Sequence, residues 1–532
     1  MRTTDSAATH FSRGNALQQS RRFAEAIESY DRALTIDPNH ADAHANRGSA
    51  CIILGRLAEA EAEFLRAIAL DQTSFEANYN LANLMRASGR FAEAEPHYRR
   101  VLELQPEMFQ AHDNLGIMLG KLGRYEEAAS HFQRIAELRP GFDDPFVNLG
   151  HVLRMAGRAE EAEAACRRAL ALASHNAKSY LNLGLALEDL GRLDEALACF
   201  REANARKPDF WKAILSEGLL HLRRGDFALG LDKYEARWHA GELAPRGFEQ
   251  EYWAGQPLVG RRILLYAEQG FGDTIQMLRY VPLVAKAGAA SITLEVQKEL
   301  LALTMRLRGS ANVIARGERL PSFDLHCPLL SLPRAFGTRV DSIPSRVPYL
   351  FAAPERIADW RQRLNNDATL KIGIAWAGSP LHRMDRLRSL PLTALTPLFD
   401  APDTRWFSLQ VGPRTAELGE LRHNGLTDVS AMLTDFGETA AAIANLDLIL
   451  SVDTAVAHLA GALGKPIWVM LPFASDWRWL LGRSDSPWYP NMRLFRQSRP
   501  GDWSGVVSAI CAAFQDLRSL AGSPDRRTTL AN

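Results

Sequence analysis

FAEAIESYDRALTIDPNHADAHANRGSACIILGR, residues 23–56, is one 34-residue period of a pattern that runs through the first two fifths of the chain. Glycines recur at this interval, and five of the six precede an arginine: Gly55, Gly89, Gly123, Gly157, Gly191 and Gly225. Prolines recur at 38, 106, 140 and 208, where a helix should stop. Such a period predicts pairs of helices that stack into a superhelix with a concave groove.

This helix–turn–helix pattern resembles the tetratricopeptide repeat. The resemblance covers residues 8–240, with six full repeats and a less regular seventh that ends near Trp238. We therefore expect an α-solenoid, a fold whose neighbouring units bury each other's apolar faces.

One polar position is constant within the period. It is held by Asn46, Asn80, Asn114, Asn148 and Asn182. An asparagine amide both donates and accepts hydrogen bonds, so two interpretations stay open. Each asparagine either bonds a neighbouring helix, or lines the groove and binds the backbone of an extended peptide. The second interpretation rests on a resemblance to the asparagine ladder of O-linked N-acetylglucosamine transferases, which hold protein substrates in this way and share the overall layout.

After residue 245 the pattern changes to short apolar strands that alternate with helices. The predicted strands are RRILLYA (261–267), SITLEV (291–296), ANVIA (311–315), KIGIAWAG (371–378), TRWFSLQ (404–410), DLILSV (447–452) and PIWVML (466–471). A proline-rich stretch at 343–355 predicts a hinge. The alternation predicts parallel sheets in two Rossmann-like domains, 245–350 and 356–520, with a cleft at the carboxyl ends of the strands.

Three loops follow predicted strands and would face this cleft. They are EQGFGD (268–273), AGSPLHRMDRLRS (377–389) and DTAVAHLAGALG (453–464). Each has an ordinary structural explanation: a glycine turn with a capping aspartate, a solvated basic loop, and a helix start with a core histidine. Together at one cleft they indicate a binding site, because a helix amino terminus and nearby arginines suit a phosphate group.

The joint pattern resembles the bacterial heptosyltransferase-like glycosyltransferases, family 9, and D-T-A-V-A-H-L-A-G-A-L-G-K-P is its most specific part. The resemblance covers about 255–515. It implies a two-domain GT-B fold, a nucleotide-diphosphate sugar as co-substrate without a cofactor, and Asp273 as general base. It also implies a donor site on the second domain, for which the candidates are Gly272, Gly378, Ser379, His382, Arg386, Arg388, Asp453, Thr454, Ala455 and His458.

Composition limits the remaining classes. The 532 residues carry 62 basic and 62 acidic side chains, a balance that argues against a nucleic-acid binder. The five cysteines show no zinc spacing, and no D-x-D motif occurs, so we expect no metal site. No apolar stretch is long enough to span a membrane, and the amino terminus lacks a signal-peptide pattern, which predicts a cytoplasmic protein.

The sequence thus predicts a metal-independent glycosyltransferase whose repeats select a protein acceptor. Two alternatives stay open. One is a non-catalytic repeat scaffold whose α/β half has lost turnover. The other is an enzyme that acts on a lipid-linked or polysaccharide acceptor, with repeats that only dock a partner.

Overall fold

The computed structural model describes residues 6–241, 243–307, 311–364, 370–380, 382, 385–401, 403–419, 421 and 425–519. The chain divides into two compact units, Met1–Leu187 and Glu188–Asn532. The first unit is helical. The second contains the last helices of the repeat region and two parallel sheets.

Within the described residues, fourteen α-helices precede the first strand. They are α1 Ala7–Gln19, α2 Phe23–Ile36, α3 Ala41–Ile53, α4 Leu57–Leu70, α5 Phe75–Ala87, α6 Phe91–Leu104, α7 Phe109–Lys121, α8 Tyr125–Leu138, α9 Asp144–Met155, α10 Ala159–Leu172, α11 Ala177–Asp189, α12 Leu193–Arg206, α13 Trp211–Arg223 and α14 Phe227–Tyr234. In the first unit, α1 to α10 pack as successive pairs, and each pair packs on the next. The predicted repeat solenoid is therefore confirmed.

The periodic glycines close the turn between the two helices of each pair. At Gly55 φ is +74°, and across the six equivalent glycines φ lies between +74° and +84°. Around the first of them, the Arg56 N–H donates to the Cys51 carbonyl at 2.9 Å and the Gly55 N–H to the Ile52 carbonyl at 3.0 Å. This left-handed cap satisfies the last carbonyls of the helix, and glycine adopts it at little cost.

In the first four helix pairs, the second helix contributes an aromatic ring to the core of the solenoid. Tyr30, Phe64, Tyr98 and Phe132 stand at the repeat interval, and all are at most 1% exposed. Since one helix pair cannot enclose such a ring alone, the rings make each pair depend on its neighbours.

The final helix pair, α13 and α14, belongs to the second unit and packs against its sheet-bearing part. The Phe227 ring lies 6.0 Å from that of Trp477 and 6.1 Å from that of Trp488. A 3-10 helix, Glu235–Trp238, follows α14. Its Arg237 is 1% exposed and donates to Ser331 Oγ at 2.6 Å.

Two parallel sheets follow. The first contains β1 Glu251–Tyr252, β2 Arg262–Tyr266, β3 Ser291–Val296, β4 Ala311–Ala315 and β5 Leu325–Pro328, in the order β1-β5-β2-β3-β4. The second contains β6 Leu370–Ala375, β7 Thr404–Ser408, β8 Leu426–Asp428, β9 Leu448–Val452, β10 Ile467–Leu471 and β11 Met492–Arg496, in the order β11-β10-β9-β6-β7-β8. The predicted parallel α/β character of this half is confirmed.

Ten further α-helices are described in the second unit beyond α14. They are α15 Phe271–Met277, α16 Val281–Lys286, α17 Leu301–Thr304, α18 Leu332–Ala335, α19 Pro354–Arg363, α20 Asp385–Arg388, α21 Thr396–Phe399, α22 Phe436–Ala444, α23 Ala455–Ala462 and α24 Trp503–Ser519. In each sheet the strand order reverses beside the first long strand, β2 in one sheet and β6 in the other. Ligands of open α/β sheets bind at such reversal points.

Some elements differ from the sequence-based expectation. Strands β1, β5, β8 and β11 were not predicted, because the first three are very short and β5 ends in a proline. The hinge predicted at 343–355 stays a prediction; the stretch combines buried residues, such as Tyr349 and Leu350, with exposed ones, such as Arg346. Within it, the Tyr349 N–H donates to the Ala462 carbonyl at 3.0 Å, and the Tyr349 hydroxyl donates to the Ile275 carbonyl at 3.1 Å.

We expect Gly55→Ala to destabilise the solenoid by about 1 kcal/mol, because an L residue is strained at positive φ. No heavy atom lies within 4 Å of a Cβ built at Gly55, so the change isolates backbone conformation. Gly141 also has open space around a built Cβ but lacks positive φ. Gly141→Ala should therefore be nearly neutral. Urea unfolding combined with hydrogen exchange in α3 and α4 measures both; equal losses would contradict the assignment.

Candidate active site

Asp273 lies in the first turn of α15, directly after β2. Its Oδ2 accepts a hydrogen bond from the Gly270 N–H at 2.8 Å, so the carboxylate caps the start of the helix. Its Oδ1 accepts from the guanidinium of Arg478. The side chain remains 22% exposed, which leaves an edge of the carboxylate accessible to a substrate.

Arg478 follows β10 and joins the second sheet's loops to α15. The guanidinium donates to Asp273, to Asp476 Oδ1 at 2.8 Å and to Gln276 Oε1 at 2.7 Å. Burial disfavours the charged form of Arg478, but the carboxylates of Asp476 and Asp273 outweigh burial and raise its pKa. Sequence reasoning missed Arg478 and Asp476. The available signal was D-W-R in the loop that follows the buried strand β10.

Glu268, a second carboxylate of the first loop, lies deeper than Asp273. Its side chain is 4% exposed. Its Oε1 accepts from the Leu330 N–H at 3.1 Å and from Arg237 Nη2 at 3.3 Å. Burial raises the pKa of Glu268 to about 7, although the charge of Arg237 opposes the shift. This carboxyl therefore joins the 3-10 helix after α14 to the loop that holds Asp273.

The third loop, after β9 of the second sheet, places the amino terminus of α23 against the start of α15. Thr454 is the N-cap residue and makes no side-chain cap bond to the helix. Its hydroxyl lies 3.0 Å from the Ser451 hydroxyl instead. The first N–H groups of α23, beginning at Ala455, are of the kind that bind anions at helix starts.

Asp453 precedes this helix and is largely buried, with 15% of its side chain exposed. Burial and the neighbouring carboxylate of Asp476 together raise its pKa to about 6, against the opposing effects of a hydrogen bond from Trp479 and of the charges of Arg388 and Arg478. A partly protonated Asp453 repels an incoming anion less than a fully charged carboxylate does.

The second loop brings Arg388 to the same place. Its Nη1 donates to the Asp453 carbonyl at 3.1 Å and its Nε to Asp385 Oδ1 at 3.2 Å. Gly378 has no room for a side chain, because a Cβ there would lie 2.4 Å from Asp385 Oδ1 and 2.5 Å from Arg388 Nη2. Because Gly378 has no side chain, the Asp385 carboxylate and the Arg388 guanidinium can pack against its backbone.

His458 lies inside the packing between α23 and α15. It is 4% exposed, its Nδ1 lies 3.0 Å from the Tyr489 hydroxyl, and its ring stacks on Trp479 at 5.2 Å. Burial, helped by the nearby arginines, holds the pKa of His458 well below its usual value, so the ring is neutral at pH 7. A Cβ on Gly272 would lie 2.8 Å from His458 Cδ2. The structure favours a packing role for both residues.

The remaining predicted donor residues lie on the exposed side of the second loop. The side chains of Ser379, His382 and Arg386 are exposed. The fourth basic residue named for this loop, Arg383, lies outside the described residues. The tryptophans at 477, 479 and 488 are at most 2% exposed, which agrees with a core role.

All five periodic asparagines are half-buried and bond toward the preceding repeat. The Asn46 amide donates to Asn15 Oδ1 at 2.9 Å, and the Asn114 amide donates to Asn83 Oδ1 at 2.9 Å. Asn80, Asn148 and Asn182 donate to Ser49, Asp113 and the Val147 carbonyl. These bonds support the packing interpretation. They do not use the full capacity of a side-chain amide, which has two donor hydrogens and an acceptor oxygen.

Two families match parts of the chain. Tetratricopeptide-repeat descriptions match residues 11–75, 79–141 and 181–245, and also 144–208. Glycosyltransferase family 9 (heptosyltransferase) matches residues 417–469, a segment that contains β9, α23 and the start of β10. The repeats are therefore established. The second match supports a glycosyltransferase through the segment that carries Asp453, Thr454 and His458.

Similar proteins have also been described. Protein FlbA of Caulobacter vibrioides is 26% identical over 321 residues, which cover 56% of this chain and 54% of FlbA. The chain thus spans about half the length of this relative. Among solved structures, YrrB, "a TPR protein with an unusual peptide-binding site", is 22% identical with a TM-score of 0.35 and covers 36% of this chain and 100% of YrrB. Pseudomonas aeruginosa PilF is 19% identical with a TM-score of 0.33, over 39% of this chain and 94% of PilF.

Among the helices of the described residues, none combines the length and apolarity that a membrane crossing requires.

We expect the contribution of Asp453 to the stability of the second unit to fall as pH rises from about 4 to about 6.5. The folded pKa of Asp453, about 6, lies above the unfolded value, so the native state binds more protons in this window. The shift corresponds to roughly 3 kcal/mol at most. Asp453→Asn should remove this decline, so the melting temperature of the variant relative to wild type should increase with pH.

Asp324→Asn provides a control of opposite sign. The hydrogen bonds from Arg262 lower the pKa of Asp324, so its contribution exists above the unfolded pKa and is lost in acid. Melting curves of both variants from about pH 3 to about pH 8 make the comparison, because the Asp324 contribution is lost mainly below about pH 4. A pH-independent difference for Asp453→Asn would contradict the raised pKa.

Proposed function

We propose that the protein is a glycosyltransferase of the GT-B fold that transfers a sugar from a nucleotide-diphosphate sugar to an acceptor selected by its repeats. The observation that carries this proposal is the convergence of the loops after β2, β6 and β9. The Arg388 bond to the Asp453 carbonyl links two of these loops, and the contact between Gly272 and His458 links the third.

The donor diphosphate would bind at the start of α23. The N–H groups at Thr454 and Ala455 would contact the phosphates, and Arg388 and Arg386, with His382 beside them, would supply positive charge as the diphosphate leaves. Arginine suits this role because its planar group binds phosphate oxygens in pairs. With such charges in place the reaction needs no metal ion.

Asp273 would act as the general base for the acceptor. A sugar or side-chain hydroxyl is a weak nucleophile, and a carboxylate within hydrogen-bond reach helps to remove its proton as the glycosidic bond forms. Its partial exposure at the mouth between the sheets is consistent with this role. The acceptor would be a protein or peptide that lies in the repeat groove.

The inter-repeat bonds of the asparagines favour one alternative: an enzyme that acts on a glycan or lipid-linked acceptor, with repeats that only dock a partner. The other alternative, a non-catalytic scaffold, requires the donor site to be inactive. The two experiments that follow separate these cases.

The donor site predicts that one of UDP, GDP, ADP, CDP or dTDP raises the melting temperature, because a ligand that binds only the native state stabilises it. Arg388→Ala should weaken that nucleotide's binding about tenfold or more, and the loss of charge-assisted bonds is the reason. With the matching nucleotide sugar, Asp273→Asn should lower turnover by about 100-fold or more, the typical contribution of a general base. Arg483→Ala, which removes a surface pair with Asp485, is the control. If no nucleotide binds, the scaffold alternative stands.

A groove that captures peptide backbone predicts that the double variant Asn80→Ala and Asn114→Ala abolishes transfer to a protein acceptor but not hydrolysis of the donor sugar. The loss should appear as a raised acceptor KM, because the amides bind the acceptor rather than the reacting atoms. Asn204→Ala, outside the periodic set, is the control. Unchanged transfer after the double substitution, at unchanged folding, favours the glycan acceptor.

A further inference from the structure

Both oxygens of the Asp273 carboxylate are engaged in this structure. Oδ2 binds the backbone of Gly270, and Oδ1 binds Arg478. Because Oδ2 is bonded to a backbone N–H and Oδ1 to a guanidinium, an acceptor hydroxyl that donates to Asp273 has to share an oxygen with one of these donors. In this structure Arg478 therefore competes with the acceptor hydroxyl for Asp273.

Arg478 also lies close to the proposed donor site. The next residue, Trp479, stacks on His458 of α23 with ring centroids 5.2 Å apart, and Asp273, which Arg478 binds, follows Gly272, which packs against the same His458. The loop of Arg478 follows β10, whose neighbour β9 leads directly into α23. One guanidinium is therefore within electrostatic reach of both the base and the helix that would hold the diphosphate.

We propose that Arg478 exchanges partners: its Nη2 donates to Asp273 in the donor-free enzyme and to a phosphate oxygen of the donor diphosphate, in place of Asp273, when the nucleotide sugar binds. This proposal rests on the proposed function of the site. Release from Arg478 leaves Asp273 Oδ1 open to the acceptor hydroxyl only when a donor is present. The acceptor hydroxyl is then deprotonated only in the ternary complex, and the donor binds first.

The exchange requires little movement. Nε remains on Gln276 and Nη1 on Asp476, so the fork stays anchored at two of its three positions. Only the Nη2 contact changes, from a carboxylate oxygen to a phosphate oxygen. Because one charge-assisted bond replaces another, the guanidinium never loses its counter-charge.

The transfer step then balances in atoms and charge. The acceptor oxygen forms a bond to the anomeric carbon while the bond from that carbon to the diphosphate oxygen breaks. The leaving nucleotide diphosphate keeps the electron pair of the broken bond, and the acceptor proton moves to Asp273. Arg478 stabilises the departing phosphate in the same step.

The proposal predicts that Asp273 and the diphosphate compete for one arginine. Asp273→Asn should therefore tighten binding about tenfold for the nucleoside diphosphate that stabilises wild type and for inorganic pyrophosphate. Arg478→Met should weaken it about tenfold. The decisive measurement is the double variant: once Arg478 is gone, Asp273→Asn should no longer change affinity, because the competition has been removed.

Calorimetric titration of the whole chain measures diphosphate affinity for wild type, the two single variants and the double variant. Asp485→Asn, which removes a carboxylate paired with Arg483 instead, controls for a general loss of negative charge and should leave affinity unchanged. Arg478→Lys keeps the cation without the planar fork. Arg478→Lys replaces Arg478→Met in the cycle if Arg478→Met folds poorly. In the Arg478→Lys background, the change in diphosphate affinity caused by Asp273→Asn should be at least threefold smaller than in wild type.

Three results would overturn the exchange. If Asp273→Asn tightens binding equally with and without Arg478, plain charge repulsion is responsible. If Asp273→Asn leaves diphosphate affinity unchanged while wild type binds, Arg478 only supports the fold and the proposed function survives without this inference. If wild type binds neither pyrophosphate nor any of the five nucleoside diphosphates, the donor site and the exchange fail together.

Discussion

The first turn of α15 packs directly against the first turn of α23. A Cβ at Gly272 would lie 2.8 Å from His458 Cδ2, so only glycine fits there without a shift. The rest of the site depends on this contact. Asp273 follows a strand of the first sheet and α23 follows a strand of the second. The contact at Gly272 brings the candidate base and the candidate phosphate-binding helix together. The neutral, buried ring of His458 fills the space between the helices and is fixed there by Tyr489 and Trp479. A charged or smaller residue at that position would separate the two loops.

Charge in the site is arranged as alternating pairs rather than as a basic patch. Arg388 lies against Asp385 and the Asp453 carbonyl, and Arg478 lies between Asp273 and Asp476. In such pairs each buried guanidinium has an acceptor next to it. A phosphate can take the place of a carboxylate, so the guanidinium still has an anionic partner. The overall balance of basic and acidic residues is thus compatible with an anion site.

Features set by local rules were predictable from sequence. The helix pairs follow from a 34-residue period, and the strands Ser291–Val296 and Ala311–Ala315 follow from apolar runs between turn residues. The three loops at the sheet edge follow from the rule that parallel strands carry ligands at their carboxyl ends.

What the sequence did not reveal depends on contacts between distant residues. Arg478 reaches Asp273 across 205 positions, and no local pattern marks that partner. The short strands β1 and β8 have too few residues to show a period. For the asparagine ladder, sequence left packing and peptide binding equally open, because both use the same amide.

The last helix pair follows the repeat period in sequence but belongs in packing to the sheets. Phe227 and Tyr234 lie against Trp477, while Arg237 binds Ser331 and Glu268. A fragment that begins at the end of the repeats, near residue 245, would expose those tryptophans and leave Glu268 buried without its cation. Leu222, Phe227 and Leu231 share one apolar core with residues of the α/β half. Division of the chain where the repeat period ends would therefore cut through a packed core rather than between two modules.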